Sequence, residues 1–214
     1  LGMGDNRGVE FDLYPAEIVA RATVYKSPTA TLLTQGVAGT VDLQTIRPLD
    51  APSTIALNGM YEMNDLSALN PDMDDTGYRA AGTYVDKFFG DTLGVALTVA
   101  TMESPSQEEW WQAWGYPQTP AGDYILGGHK SYVRSAMLNR DSVSGVLQWQ
   151  PSDSLEVTVD GLYIDYLDEQ IKRGLETPGA IWGAPAYRVD SVSNGLVTEG
   201  AFLDNYVQIG NDSA

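Results

Sequence analysis

Residues Ala16 to Asp50 read AEIVARATVYKSPTATLLTQGVAGTVDLQTIRPLD, and the fold turns on how this stretch is taken. Ile18, Val19, Val24 and Tyr25 make a short β-branched and aromatic run, which predicts a strand. Lys26-Ser27-Pro28 ends it, because proline has no N–H to give to a ladder. Thr40 to Ile46 alternates with period two and predicts a second strand. Between them, Gly36 and Gly39 flank Val37-Ala38 and permit tight turns or close backbone approach. Arg47-Pro48 closes the element. Periodicity alone makes this a strand, a turn, a glycine-punctuated loop and a strand.

Beyond Asp50-Ala51-Pro52 the pattern simplifies to repeated period-two segments. Ile55 to Asn64 places Ile55, Leu57, Tyr61 and Met63 on one face and Asn58, Glu62 and Asn64 on the other. Tyr78 to Phe89 and Leu93 to Met102 follow, joined by a tight turn at Gly90-Asp91. Leu93, Val95, Leu97 and Val99 share one face; Gly94, Ala96, Thr98 and Ala100 share the other. Residues 103–130 read as a long connection, and 131–138 as strand or loop. Val143 to Gln150 and Leu155 to Tyr166 are two further strands around a tight turn at Pro151 to Ser154. Residues 172–194 read as a loop and 195–209 as a last strand.

Short and long connections therefore alternate, and aromatics sit at strand ends: Phe88, Phe89 and Trp149. Transmembrane barrels have short turns at one end, long loops at the other, and strands of about 10 residues facing lipid on one side. A soluble β-sandwich also alternates faces, but it carries no such rule of connection lengths.

The chain has 214 residues, no cysteine and a formal net charge of −17. That balance excludes a basic nucleic-acid footprint, and the lack of cysteine excludes disulfides and thiolate metal sites. No apolar run reaches the length of about 20 residues that a membrane helix needs. The opening Leu1-Gly2-Met3-Gly4 carries no initiator methionine or leader, so an internal piece with its leader upstream is expected.

Val24 to Ala30, followed by Gly36 to Leu43, resembles the closing segment of the plug domain of TonB-dependent outer-membrane receptors. Arg7-Gly8-Val9-Glu10-Phe11-Asp12 is similar to the preceding plug segment in the branch common in Caulobacter- and Xanthomonas-type bacteria. The signature positions are Tyr25, Lys26, Pro28, Gly36, Gly39, Thr40 and Asp42. Arg21 departs from the pattern, where a small residue is expected, and Ala22 is smaller than the usual valine. The resemblance implies an all-β chain: an antiparallel transmembrane β-barrel fragment of about six strands, preceded by the end of a small α/β plug. Residues 1–50 would be the C-terminal part of the plug and 51–214 the first barrel strands, with about 22 strands in the whole barrel. It further implies active uptake of a siderophore, vitamin or saccharide across the bacterial outer membrane. The partners would be that ligand, outer-membrane lipid and the TonB energy-coupling complex, whose contact region would lie upstream of Leu1. No cofactor and no catalytic residue are expected. The alternative is a soluble or surface β-sandwich that binds saccharide.

The chemistry-bearing residues are few. His129 stands alone in a Gly-Gly-His-Lys loop and has no partner for a metal site. Asn70 to Gly77 has carboxylates at calcium-like spacing but lacks the sixth-position glycine and the closing glutamate, so a solvated acidic loop is expected. The sharpest feature is Glu108 to Tyr116, with Trp110, Trp111, Trp114 and Tyr116 in what reads as a loop. Aromatic faces beside carboxylates suit sugar rings, cations or aromatic ligands, and equally suit packing at a membrane interface.

Overall fold

The structure, a computed structural model, describes residues 14–27, 39–180, 186–203 and 206–213. Strand β1 (Arg21–Tyr25) pairs antiparallel with β2 (Thr40–Gln44), setting Tyr25 opposite Thr40 and Thr23 opposite Asp42. The strand expected from Ile18 begins later. Ala16–Ile18 is a 3-10 turn, with Pro15 at φ −65° and the Val19 N–H donating to the Ala16 carbonyl at 3.1 Å. Gly39 has φ +137°, and a Cβ there would lie 2.9 Å from the Tyr25 carbonyl oxygen. This glycine is required by both conformation and space. Pro28 and Gly36 lie outside the described residues.

A six-stranded sheet follows, built from β3 (Thr54–Met63), β4 (Thr76–Phe88), β5 (Leu93–Ala113), β6 (Gly128–Ser152), β7 (Leu155–Pro178) and β10 (Gln208–Ser213). Its order is β10-β7-β6-β5-β4-β3, so β3 and β10 are open edges and the described residues form no closed barrel. A separate hairpin joins β8 (Ala186–Ser193) to β9 (Leu196–Leu203). The all-β, antiparallel expectation holds: β1–β2, β4–β5, β7–β10 and β8–β9 all pair antiparallel.

Several boundaries differ from the sequence reading. β5 has 21 residues and runs through the stretch taken as a long connection, so Trp110 and Trp111 stand on a strand. Pro105 misled here. It sits just past Glu103, the last residue of β5 registered against β4 through Tyr78, so its missing N–H breaks none of those pairs. β6 has 25 residues and absorbs 131–138, and β7 has 24 and absorbs 172–178. The expected strand 195–209 is two strands on two sheets. The β8–β9 turn is Asn194-Gly195 at φ +51° and +74°, the paired positive φ that suits a two-residue hairpin.

The described residues of Leu1–Tyr61, with Tyr78–Glu103 and Leu138–Leu167, form one compact unit. Its burial is inside-out. On β5, Gly94, Ala96 and Thr98 are buried, with Ala96 and Thr98 each 4% exposed. Their neighbours Leu97 and Val99 are 45% and 46% exposed. β6 repeats the pattern: Ser142, Ser144, Val146 and Gln148 are buried, while Val143, Leu147 and Trp149 are exposed. A water-soluble sheet would invert this, because apolar area is what water drives inward.

Residues 45–53 cover the small, polar face. Ile46 and Ala51 pack on Val85, Ala96 and Val146. Pro48 and Leu49 approach so closely that a Cβ on Gly94 would lie 3.0 Å from the Pro48 Cβ and 2.9 Å from the Leu49 nitrogen. The Leu49 N–H donates to Gln148 Oε1 at 3.0 Å, and Gln148 Nε2 donates to Glu156 at 2.8 Å. Arg47 pairs with Asp160 at 2.9 Å, Thr45 donates to the same carboxylate, and Ser53 donates to Asp86 at 2.8 Å. The segment is held mainly by hydrogen bonds and an exposed ion pair, around a small apolar patch.

The second unit comprises Glu62–Gly77, Ser104–Met137 and the described residues of Asp168–Ala214. Here the acidic connection 64–75 is pinned by buried polar groups. Asn70, 1% exposed, donates through its backbone N–H and Nδ2 to Ser135 Oγ at 3.1 and 3.0 Å, and through Nδ2 to the Ile171 carbonyl at 3.2 Å. Ser135 Oγ donates to Gln107 Oε1 at 2.5 Å, and Gln107 Nε2 donates to the Asp74 carbonyl at 3.2 Å. Each named group finds a partner, as buried polar groups must.

Candidate functional site: an aromatic and cationic face on β5 to β7

Period two puts even-numbered residues of a strand on one side, and in the second unit those of β5, β6 and β7 meet. Trp110 and Tyr132 lie with ring centroids 5.7 Å apart at 37°. The Lys172 ammonium sits 4.4 Å from the Trp110 centroid and 4.5 Å from that of Tyr132. Lys130 pairs with Glu176 at 2.8 Å and lies 5.8 Å from the Trp114 ring. Arg134 pairs with Glu108 at 2.9 Å and donates to Gln170 at 3.1 Å.

Glycines make room for the rings. A Cβ on Gly174 would fall against the Ser131 carbonyl and 2.7 Å from the Tyr132 Cα, and one on Gly210 would lie 3.1 Å from Tyr132 Cε1. The Tyr132 ring thus covers two glycines, and its hydroxyl donates to Glu176. Burial, reinforced by that hydrogen bond, pushes the Tyr132 phenol up to about 12. The hydrogen bond from Lys130, with that from Tyr132, holds Glu176 below the ordinary carboxylate range.

The four aromatics singled out in the sequence have different fates. Trp110 joins the cluster. Trp111 is 55% exposed and stacks on His129, centroids 6.0 Å apart at 28°. Trp114 lies past the end of β5; its backbone N–H donates to the Gly128 carbonyl at 2.8 Å and its Cε3 would meet a Gly128 Cβ at 2.6 Å. Tyr116 is exposed and takes no part in the ring contacts. Tyr132, Lys172, Lys130 and Glu176 were missed. Their signal was present, since Lys130, Tyr132 and Arg134 alternate, as do Gln170, Lys172, Gly174 and Glu176; reading 131–138 and 172–178 as strands would have exposed it.

A cleft of about 570 Å³ is lined by Glu109, Trp110, Trp111, Ser131, Tyr132, Val133, Arg173 and Gly174, mostly odd-numbered residues, and not by Lys130, Arg134 or Lys172. A second, of about 560 Å³, lies against Trp114, Lys130 and Tyr206. Both fall in the range of small-molecule sites. Among the described residues no three His, Asp or Glu side chains gather as a metal site, and no helix is long and apolar enough to cross a membrane, which has no bearing on crossing by strands. Compared with known proteins, the chain matches no family model, no curated protein and no solved structure.

Proposed function

We propose that this chain takes part in active uptake of a small ligand across the bacterial outer membrane, as the plug end and first barrel strands of a TonB-dependent receptor. The observation that carries the reading is the inside-out burial of β5 and β6. An exposed stripe of Leu97, Val99, Val143 and Leu147 backed by buried Thr98, Ser142, Ser144 and Gln148 suits a wall with lipid outside and a polar lumen inside. A soluble saccharide-binding sandwich would bury the apolar stripe.

Other features point the same way. The connections around β4 to β7 alternate: long at 64–75, tight at 89–92, long at 114–127, tight at 153–154. Phe88, Phe89 and Trp149 are exposed beside the tight turns, where an aromatic girdle belongs. About ten residues span a bilayer as a strand, so the residues of β5 to β7 nearest these turns are the membrane spans, and the strands continue beyond them. In this reading residues 45–50 are the plug end lying on the wall, and their polar contacts to Gln148 and Asp160 can be broken and remade as the plug rearranges. Energy would come from the TonB complex, and no catalytic residue is assigned.

The test is labelling in intact cells with a membrane-impermeant thiol reagent. Ala121→Cys, in the long connection, is expected to react, and Asp153→Cys, in the tight turn, is expected to stay protected until the cells are opened. The reverse pattern ends this topology.

A further inference from the structure

We propose that an apolar groove on the exposed face of β3 to β7 holds one acyl chain of a membrane lipid whose headgroup carries a primary ammonium. The groove lies within the first unit and has a volume of about 570 Å³; its lining includes Leu57, Ala80, Gly82, Val99, Val143 and Tyr163. A Cβ on Gly82 would lie 3.3 Å from Leu57 Cδ2 and 3.8 Å from Val99 Cγ2. The leucine and the valine thus lean over the glycine from the two neighbouring strands and form walls of the groove. Asp141 is the only charged residue among those that line it.

Asp141 decides the occupant. It is exposed, and among the described residues its carboxylate has no hydrogen-bond or ion-pair partner. Ser142 Oγ donates to the Ala100 carbonyl at 3.3 Å, so Asp141 stands level with Thr101, which also lines the groove. The proposal rests on the uptake reading, and on that reading the two residues mark a boundary. Thr101 stands eight residues past Leu93, where β5 leaves its tight turn. That length of strand extends about 27 Å, which is about 20 Å of height at a barrel's tilt, against an apolar band about 25 Å tall. The apolar part of the groove therefore lies in hydrocarbon, and Asp141 reaches the headgroups at its far rim.

A carboxylate at that depth is costly without a partner. A headgroup ammonium supplies both the opposite charge and N–H donors. A phosphate without an amine is repelled, and a quaternary choline brings charge but no donor. A second copy of this chain, docked face to face, would bring another Asp141 carboxylate where a cation is wanted.

The experiment is native mass spectrometry of the protein refolded into bilayers and extracted in mild detergent. It is offered phosphatidylethanolamine, phosphatidylcholine and phosphatidylglycerol with identical acyl chains. One retained lipid is expected, with the ethanolamine lipid favoured about two- to fivefold over the choline lipid, the range of an exposed charge pair, and the glycerol lipid last. Asp141→Asn should abolish that preference while a lipid is still retained. Ala80→Phe, at an exposed position, fills the groove and should cut retention of all three about tenfold or more, the effect of losing about two buried methylenes. Leu147→Phe, exposed on the same face but outside the groove, should retain lipid like the wild type. The proposal is overturned if no lipid is retained, if the glycerol lipid wins, if Asp141→Asn keeps the preference, if Ala80→Phe retains lipid like the wild type, or if Leu147→Phe loses it equally. A dimer that Ala80→Phe dissociates would give the groove to a second copy and overturns it too. Protein that inserts and labels as expected but fails these tests loses the groove and keeps the uptake reading, whereas protein that does not enter bilayers loses both.

Discussion

Gly39→Val perturbs the β1–β2 element at its most constrained point. At φ +137° an L side chain is strained in any surroundings, at about 1–3 kcal/mol. The new Cβ would also stand 2.9 Å from the Tyr25 carbonyl oxygen, on the residue paired with Thr40, so relief of the strain opens the ladder. Each of the two strands has five residues, and a two-stranded sheet of that size is marginal by itself. A loss of about 1–3 kcal/mol therefore multiplies the opened population roughly 5- to 150-fold. Hydrogen exchange over residues 21–25 and 40–44 measures this directly. Gly59→Ala is the control, because a Cβ there meets nothing within 4 Å. Exchange should accelerate in both β1 and β2 for Gly39→Val and stay unchanged for Gly59→Ala. Unchanged exchange in Gly39→Val would refute the claim that this glycine is needed for its backbone geometry.

Gly174→Val should destabilise the second unit strongly, by about 3 kcal/mol or more, since the obstacle is the backbone of Ser131 and Tyr132; a thermal melt within a degree of wild type would contradict the seating of Tyr132. Glu176 titrates below its ordinary value of 4.5 because Lys130 and Tyr132 hold its charged form. Its contribution to stability is therefore complete above that value and lost as pH falls through the depressed one. Melting temperature plotted against pH should drop more below pH 4.5 for wild type than for Glu176→Gln, and parallel curves would remove Glu176 from the account.

The alternation at 93–102 and 143–150 was legible in the sequence because small or polar residues and large apolar ones occupy mostly opposite parities there, with Thr101, Met102, Gly145 and Val146 as the exceptions. So were the β1–β2 pair and both tight turns. The strand continuations were hidden. At 103–113 the run of Glu, Ser, Pro and Gln resembles a loop in composition, and only ladder partners on neighbouring strands keep it extended. The pinning of 64–75 by Asn70, Ser135 and Gln107 was invisible for a similar reason: three scattered polar residues carry no local pattern, and what makes them a unit is burial. The ring and cation face was half legible. Trp110 stood out by residue type, whereas Lys172, 62 positions later, is joined to it only by strand order.

The central claim is that the Leu97 side of β5 faces lipid and the Thr98 side a lumen. It is tested by comparing Leu97→Arg with Thr98→Arg for stability of the protein refolded into bilayers. The expected result is a loss of about 2–4 kcal/mol for Leu97→Arg and a clearly smaller loss for Thr98→Arg. Equal losses, or a larger one at Thr98, would mean that the exposed apolar stripe does not face lipid.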